Sequence, residues 1–175
     1  MKENNTPDRE TCLILLRNYG TPDHVVRHCK AVTEAALRIG RALNANGINL
    51  NLKLLEAAAL LHDIARVEEN HGSVGAEIAE NNGYYGVAEL IRHHMSYVSD
   101  PNSAKISEKD VLCLSDRMVK EDKYIGLDAR MKYILDKFTD DYEATKRINK
   151  RIKDNRIILD RIEEIIGIKI DELMK

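Results

Sequence analysis

The 175-residue chain has no tryptophan, one phenylalanine and only 5% aromatic residues. That is a poor supply of rings for a platform that stacks bases. Cysteine is scarce too. Cys12, Cys29 and Cys113 are odd in number, widely spaced and free of any Cys-x-x-Cys pair. This excludes a disulfide framework and a cysteine zinc site. Neither sign of charge dominates: 27 Lys and Arg stand against 29 Asp and Glu, a formal −2. No positive excess points to a nucleic-acid coat or an anionic membrane surface. Apolar runs are short, as in Ala57 to Leu61, and fall far short of the roughly 20 residues that span a bilayer. The opening MKENNTPDRE is polar, unlike a secretory signal. A reduced, cytoplasmic location with no membrane and no nucleic-acid partner is the expectation.

With 43% hydrophobic and 32% charged residues, the chain reads as one globular domain. Helical periodicity dominates, and no convincing alternating strand is found. Helices are expected over about 8–18, 22–45, 52–67, 71–81, 84–97, 107–120 and 127–138, from apolar residues recurring every three or four positions. In the second, Val25, Cys29, Val32, Ala36, Ile39 and Leu43 form the stripe. Thr21 is expected to cap it, with Pro22 in its first turn. The tail beyond Asp140 repeats Ile148, Ile152, Asn155, Leu159, Ile162 and Ile166 at alternating four and three spacings. Lys146, Arg147, Lys150, Arg151, Lys153 and Arg156 crowd its other faces. This is an amphipathic helix packed on the domain with a solvated basic face. A dimerising or nucleotide-contacting helix is the alternative.

The chemistry begins at His62-Asp63 in AAALLHDIARV. A carboxylate in so apolar a run is costly unless it is paired or bound to metal. Arg66, one turn on, offers a pairing that needs no metal. His28, His71, His93, His94 and Asp116 also lie in or beside apolar helical stretches. A helical bundle can converge such groups from facing helices into one metal site. Mixed imidazole and carboxylate ligands suit Fe, Mn, Zn, Ni or Co, whereas magnesium prefers oxygen alone. Cys29 adjoins His28 but points elsewhere on the helix, toward the core.

On these residues the sequence resembles the HD-domain superfamily of metal-dependent phosphohydrolases. That family's pattern is a histidine on one helix, a His-Asp doublet on a second and an aspartate on a later one. It falls here on His28, then His62 and Asp63, then Asp116. PDHVVRHCKAV, AAALLHDIAR, HGSVGAEIAE, VAELIRHHM and LSDRMV look like family stretches in family order. Two further histidines bind a second metal in several members, and the matching positions are His71 and His94. Ile91-x-x-His94 fits the family spacing, so His94 is preferred to His93. The chain lacks the Gly-Tyr-Pro signature of the cyclic-di-GMP branch. It also lacks the long accessory regions of the dNTP triphosphohydrolases and alarmone hydrolases. The small binuclear branch that splits diadenosine tetraphosphate is nearest in size and pattern.

The resemblance implies an all-α HD-domain bundle: a single domain over 1–175, with its core at about 10–125 and a C-terminal helical extension over about 126–175. It implies one or two divalent transition-metal ions. His28, His62, Asp63 and Asp116 would hold the first, and Asp63, His71 and His94 the second. The implied reaction is hydrolysis of a nucleotide or other phosphate ester or anhydride by a metal-activated hydroxide. The partner would be a small phosphorylated substrate. Arg66 would neutralise phosphoryl charge, or simply pair with Glu69 or Glu77. Arg117 and Lys120 share that ambiguity, His24 lies near the mouth, and His93 is exposed or substrate-facing. Two other readings stay open: a catalytically silent module that binds a nucleotide, and a metal-stabilised scaffold. Homodimerisation through the tail's apolar stripe is a further expectation.

Overall fold

The computed structural model describes residues 5–100, 103, 105–138 and 140–175. The helices are α1 (Arg9–Asn18), α2 (Asp23–Ala45), α3 (Leu52–Leu61), α4 (His71–Asn81), α5 (Tyr85–Ile91) and α6 (Glu108–Asp116). A two-residue hairpin follows, β1 (Val119–Lys120) and β2 (Lys123–Tyr124), and then α7 (Leu127–Leu135), α8 (Tyr142–Ile166) and α9 (Ile170–Leu173). The all-α expectation holds. Among the described residues no helix is long and apolar enough to cross a membrane.

Local chemistry sets the helix starts. Asp8 and Asn51 accept from the backbone N–H of Thr11 and Leu54, satisfying donors that have no intrahelical partner. Ser107 and Asp110 form a reciprocal capping box at α6. The core is centred on α2 and α3, whose Val32, Ala36, Ile39, Leu43, Leu55, Ala58 and Leu60 are sealed from solvent. The two helices meet closely at Gly40, where a Cβ would stand 2.8 Å from Leu52 and 3.0 Å from Leu55. The tail helix packs on α2, α6 and α7. It buries Asn155, Ile158, Leu159 and Ile162 and ends at Gly167 with φ 74°, a left-handed stop that glycine takes without strain.

Five expectations need correction. The helix expected over 52–67 ends at Leu61. Beyond it the backbone turns through Ile64 N–H to Leu61 O, Arg66 N–H to Asp63 O and Glu68 N–H to Ala65 O. These tighter i to i−3 bonds replace the α pattern. Ile64 and Ala65 stay buried, so the apolar pattern continues while the bonding changes. Likewise the helix expected over 84–97 ends at Ile91, and the one expected over 107–120 ends at Asp116. A hairpin occupies 119–124 where no strand was expected. Its turn, Glu121-Asp122, lacks the Asn-Gly or Asp-Gly that signals such a turn. Thr21 does not cap α2: no side chain caps that helix. The buried Thr21 hydroxyl instead donates to Ile64 O at 2.8 Å, tying the start of α2 to the turn that carries Asp63.

Candidate metal centre

The helix ends that pattern reading extended too far are where the site is built. His62 follows the last residue of α3 and His94 lies three residues past the end of α5. In both, the ring Nδ1 meets the carbonyl three residues back: His62 to Ala59 O at 2.8 Å, His94 to Ile91 O at 2.7 Å. His28, on α2, places Nδ1 2.7 Å from Glu121 O in the hairpin turn. A carbonyl only accepts, so each Nδ1 carries the proton. When the ring is neutral, each Nε2 is then a lone pair, the form in which imidazole ligates a metal.

Those Nε2 atoms converge on two carboxylates. His28 Nε2 lies 3.0 Å from Asp116 Oδ1, and His62 Nε2 lies 3.6 Å from the same oxygen and 3.7 Å from Asp63 Oδ2. Asp63 Oδ1 faces His71 Nε2 at 3.2 Å and His94 Nε2 at 3.4 Å. His62, Asp63 and His94 are buried, while His28, His71 and Asp116 are half-buried. The Nε2 atoms of His62, His71 and His94 are buried without a hydrogen-bond partner. Buried polar atoms rarely stay unsatisfied, so an ion among them fits this donor set. His28, His62 and Asp116 are close enough to hold one ion, and so are His62, Asp63 and His94.

His71 differs from the others. It opens α4 after Asn70, whose φ is 58°. Among the described residues no carbonyl holds its Nδ1; Arg66 Nη1 lies 3.5 Å from it, too long to fix a tautomer. Its approach depends on Gly72, where a Cβ would stand 2.8 Å from Arg92 O. Any side chain there would push α4, and His71 with it, away from Asp63.

The electrostatics agree with a cation-demanding site. Burial opposes ionisation of Asp63, but positive charge on His62 and the close ring nitrogens of His71 and His94 hold its carboxyl well below the usual range. Asp116 is likewise opposed by burial and held low by His28 and His62. Burial also opposes charging His62, yet Asp63 leads the influences that raise its pKa. Two carboxylates in so dry a place require positive charge, whether from protons on the imidazoles or from metal.

A cavity of about 640 Å³ opens above the cluster, reached by His28, Asp63, His94 and Asp116 and walled in part by α7 and α8. That volume lies in the range of small-molecule sites. Arg66 lines it while exposed, its Nε 3.4 Å from Asp63 Oδ2 rather than beside Glu69 or Glu77. His24 is at the rim and His93 is exposed. Lys120 turns away and lies 3.9 Å from the Tyr133 ring centroid. Arg117 is held by Asn155 Oδ1 and Tyr97 O, both at 2.6 Å. Sequence reasoning missed the roles of two groups: the Glu121 carbonyl, which depends on an unrecognised hairpin and left no signal, and Asn155, whose amide on an otherwise apolar stripe was the available signal.

A family model, the HD domain, matches residues 25–148. The chain belongs to the HD domain family. HD domains bind divalent metals, and the family match covers all six clustered residues. Among curated proteins, this HD chain is similar to a tRNA (cytidine(56)-2'-O)-methyltransferase of Picrophilus torridus, 26% identical across 97% of the chain and 50% of that protein. A like-named protein of Thermoplasma volcanium is 37% identical across 51% of the chain and 26% of its own length. The HD chain thus spans half or less of these two relatives. An uncharacterised protein of Methanocaldococcus jannaschii is 26% identical across 79% of the chain and 91% of its own length. No solved structure gives a significant match.

Proposed function

We propose that this HD protein is a metal-dependent phosphohydrolase acting on a nucleotide or another phosphate ester or anhydride. The observation that carries this is the convergence of three unsatisfied imidazole Nε2 atoms on Asp63 and Asp116 at the floor of an open cavity. His28, His62, Asp63 and Asp116 would hold one ion, and Asp63, His71 and His94 a second. Bound divalent ions would acidify water and neutralise phosphate charge. The chain's own part is to fix the imidazoles through the Ala59, Ile91 and Glu121 carbonyls, so little reorganisation remains when a ligand arrives. Arg66, exposed beside Asp63, would donate to a phosphoryl oxygen. No serine or cysteine nucleophile has to be invoked: water is the attacking group, and the phosphorus–oxygen bond to the leaving group breaks.

The small diadenosine tetraphosphate-splitting branch remains one substrate class within this proposal. A second reading draws on the two relatives named for tRNA methylation: a catalytically silent HD module that serves an RNA-processing protein by binding. Elemental analysis of protein purified without added metal, then phosphate release from a nucleotide panel, separates the two. Transition metal with phosphate release, both lost in Asp63→Ala, supports the hydrolase. Tight tRNA binding with no release of phosphate from any nucleotide, even after metal reconstitution, supports the module.

A further inference from the structure

One wall of the cavity carries cationic groups that the metal-centred chemistry does not use. Arg151 from α8, Arg117 just after α6 and Arg130 from α7 all line it. None has an ion-pair partner among the described residues, in contrast to Arg27 at the rim, which faces Asp122 at 3.5 Å. Arg117 is held by Asn155, and the Asn155 amide in turn donates to Arg151 O at 2.7 Å. Two guanidinium-bearing residues are thereby bound into one structural unit. Arg151 is exposed, yet the desolvation it meets at this wall, then the Arg117 charge, lowers its pKa. Like charges drawn together without a carboxylate between them are relieved by an anion, and guanidinium pairs suit phosphate oxygens. Met131, Ile134 and Ile148 supply apolar lining to the same cavity, a surface for a flat, weakly polar group.

We infer that Arg151, with Arg117 and Arg130, forms a second anion subsite in the cavity. The ligand is then a nucleotide bearing a phosphate beyond the one that reaches the His/Asp cluster, not a nucleoside monophosphate. The cavity volume of about 640 Å³ matches one small molecule and not a polynucleotide. Arg151 and Asn155 lie outside residues 25–148 matched by the family, whereas Arg117 and Arg130 lie inside them. The inference rests on reading the cluster as a phosphate-processing site.

The test compares binding of AMP and of α,β-methylene-ADP to metal-loaded full-length protein by calorimetry, in wild type, Arg151→Gln and Arg151→Lys. Lys150→Gln on the same helix serves as a surface control. Wild type should prefer the methylene diphosphate by at least about tenfold, the worth of a charged hydrogen bond. Arg151→Gln should erase that preference, leaving AMP affinity and metal content unchanged, and Arg151→Lys should retain part of it. Should Arg151→Gln lose its helical circular dichroism, the Arg151→Lys comparison alone decides. An unchanged preference in both Arg151 variants overturns the subsite. So does a 5'-phosphorylated RNA oligomer that binds more tightly than either nucleotide and depends on Arg151, since the partner is then RNA. Loss of the preference in a protein that hydrolyses nothing upholds the subsite and defeats the hydrolase. Hydrolysis of polyphosphates with an Arg151-independent KM does the reverse.

Discussion

The two halves of the His/Asp cluster are held differently. On one side His28 and His62 each donate Nδ1–H to a carbonyl, and Asp116 lies between them. On the other side Asp63 meets His94, which is anchored to Ile91 O, and His71, which no carbonyl anchors. An imidazole fixed by its second nitrogen is a preorganised ligand, and a free one must be ordered when the ion binds. The difference predicts a ranking: the His28, His62 and Asp116 side should be the tighter, and the His71 side should empty first. Asp63 faces both sets.

Removing Asp63 is therefore expected to have the largest effect. Asp63→Ala should lose both ions, and phosphate release should fall by more than about a hundredfold, beyond the usual cost of losing a supporting partner. Metal content by mass spectrometry and a phosphate assay check this. Equal loss in Asp63→Ala and His71→Ala would erase the ranking. His71→Ala itself should lose about one ion per chain and keep the other, whereas His62→Ala should lose the tighter one. Lowering the pH should strip the His71-side ion first, because protons compete for ligands that are not preorganised; metal retention measured across pH reports the order.

Smaller effects sharpen the contrast further. Glu121 holds φ 56°, a left-handed conformation that costs a non-glycine residue roughly 1 kcal/mol, while its carbonyl orients His28. Glu121→Gly keeps the carbonyl and removes the strain, so stability should rise by up to about 1 kcal/mol with metal content unchanged. Denaturant titration measures it, and loss of metal in that variant would show that the acidic side chain, not the carbonyl, matters. Least affected by any of this are the thiols. Burial pushes Cys12 and Cys113 up to about 12, so the native protein should resist thiol alkylation at neutral pH. Rapid labelling would indicate a looser core than the one described.

Much of this was legible beforehand, for a reason that also marks the limit. His28, His62, Asp63, His94 and Asp116 stand out because polar groups in apolar helical runs conflict with the hydrophobic pattern, and the structure brings them together with His71. The exact ends of α3, α5 and α6 were not legible, because Ile64 and Ala65 are as buried past the helix as within it. Burial period cannot distinguish i−4 from i−3 bonding. Thr21 read as a cap because hydroxyls often cap, but its partner Ile64 lies 43 residues away, and no local rule contains that pairing. The same holds for the Glu121 carbonyl on His28, 93 residues apart. What orients the ligands is long-range and made by backbone, and side-chain identity does not record it.

The most direct test of the account is the metal content of full-length protein purified without added metal, measured with phosphate release on the same sample. The account predicts close to two transition-metal ions per chain, the weaker one removed by mild chelation, and phosphate release that disappears with them. A chain that takes up no transition metal even on reconstitution, or one that releases phosphate equally well with Asp63 replaced by alanine, would contradict it.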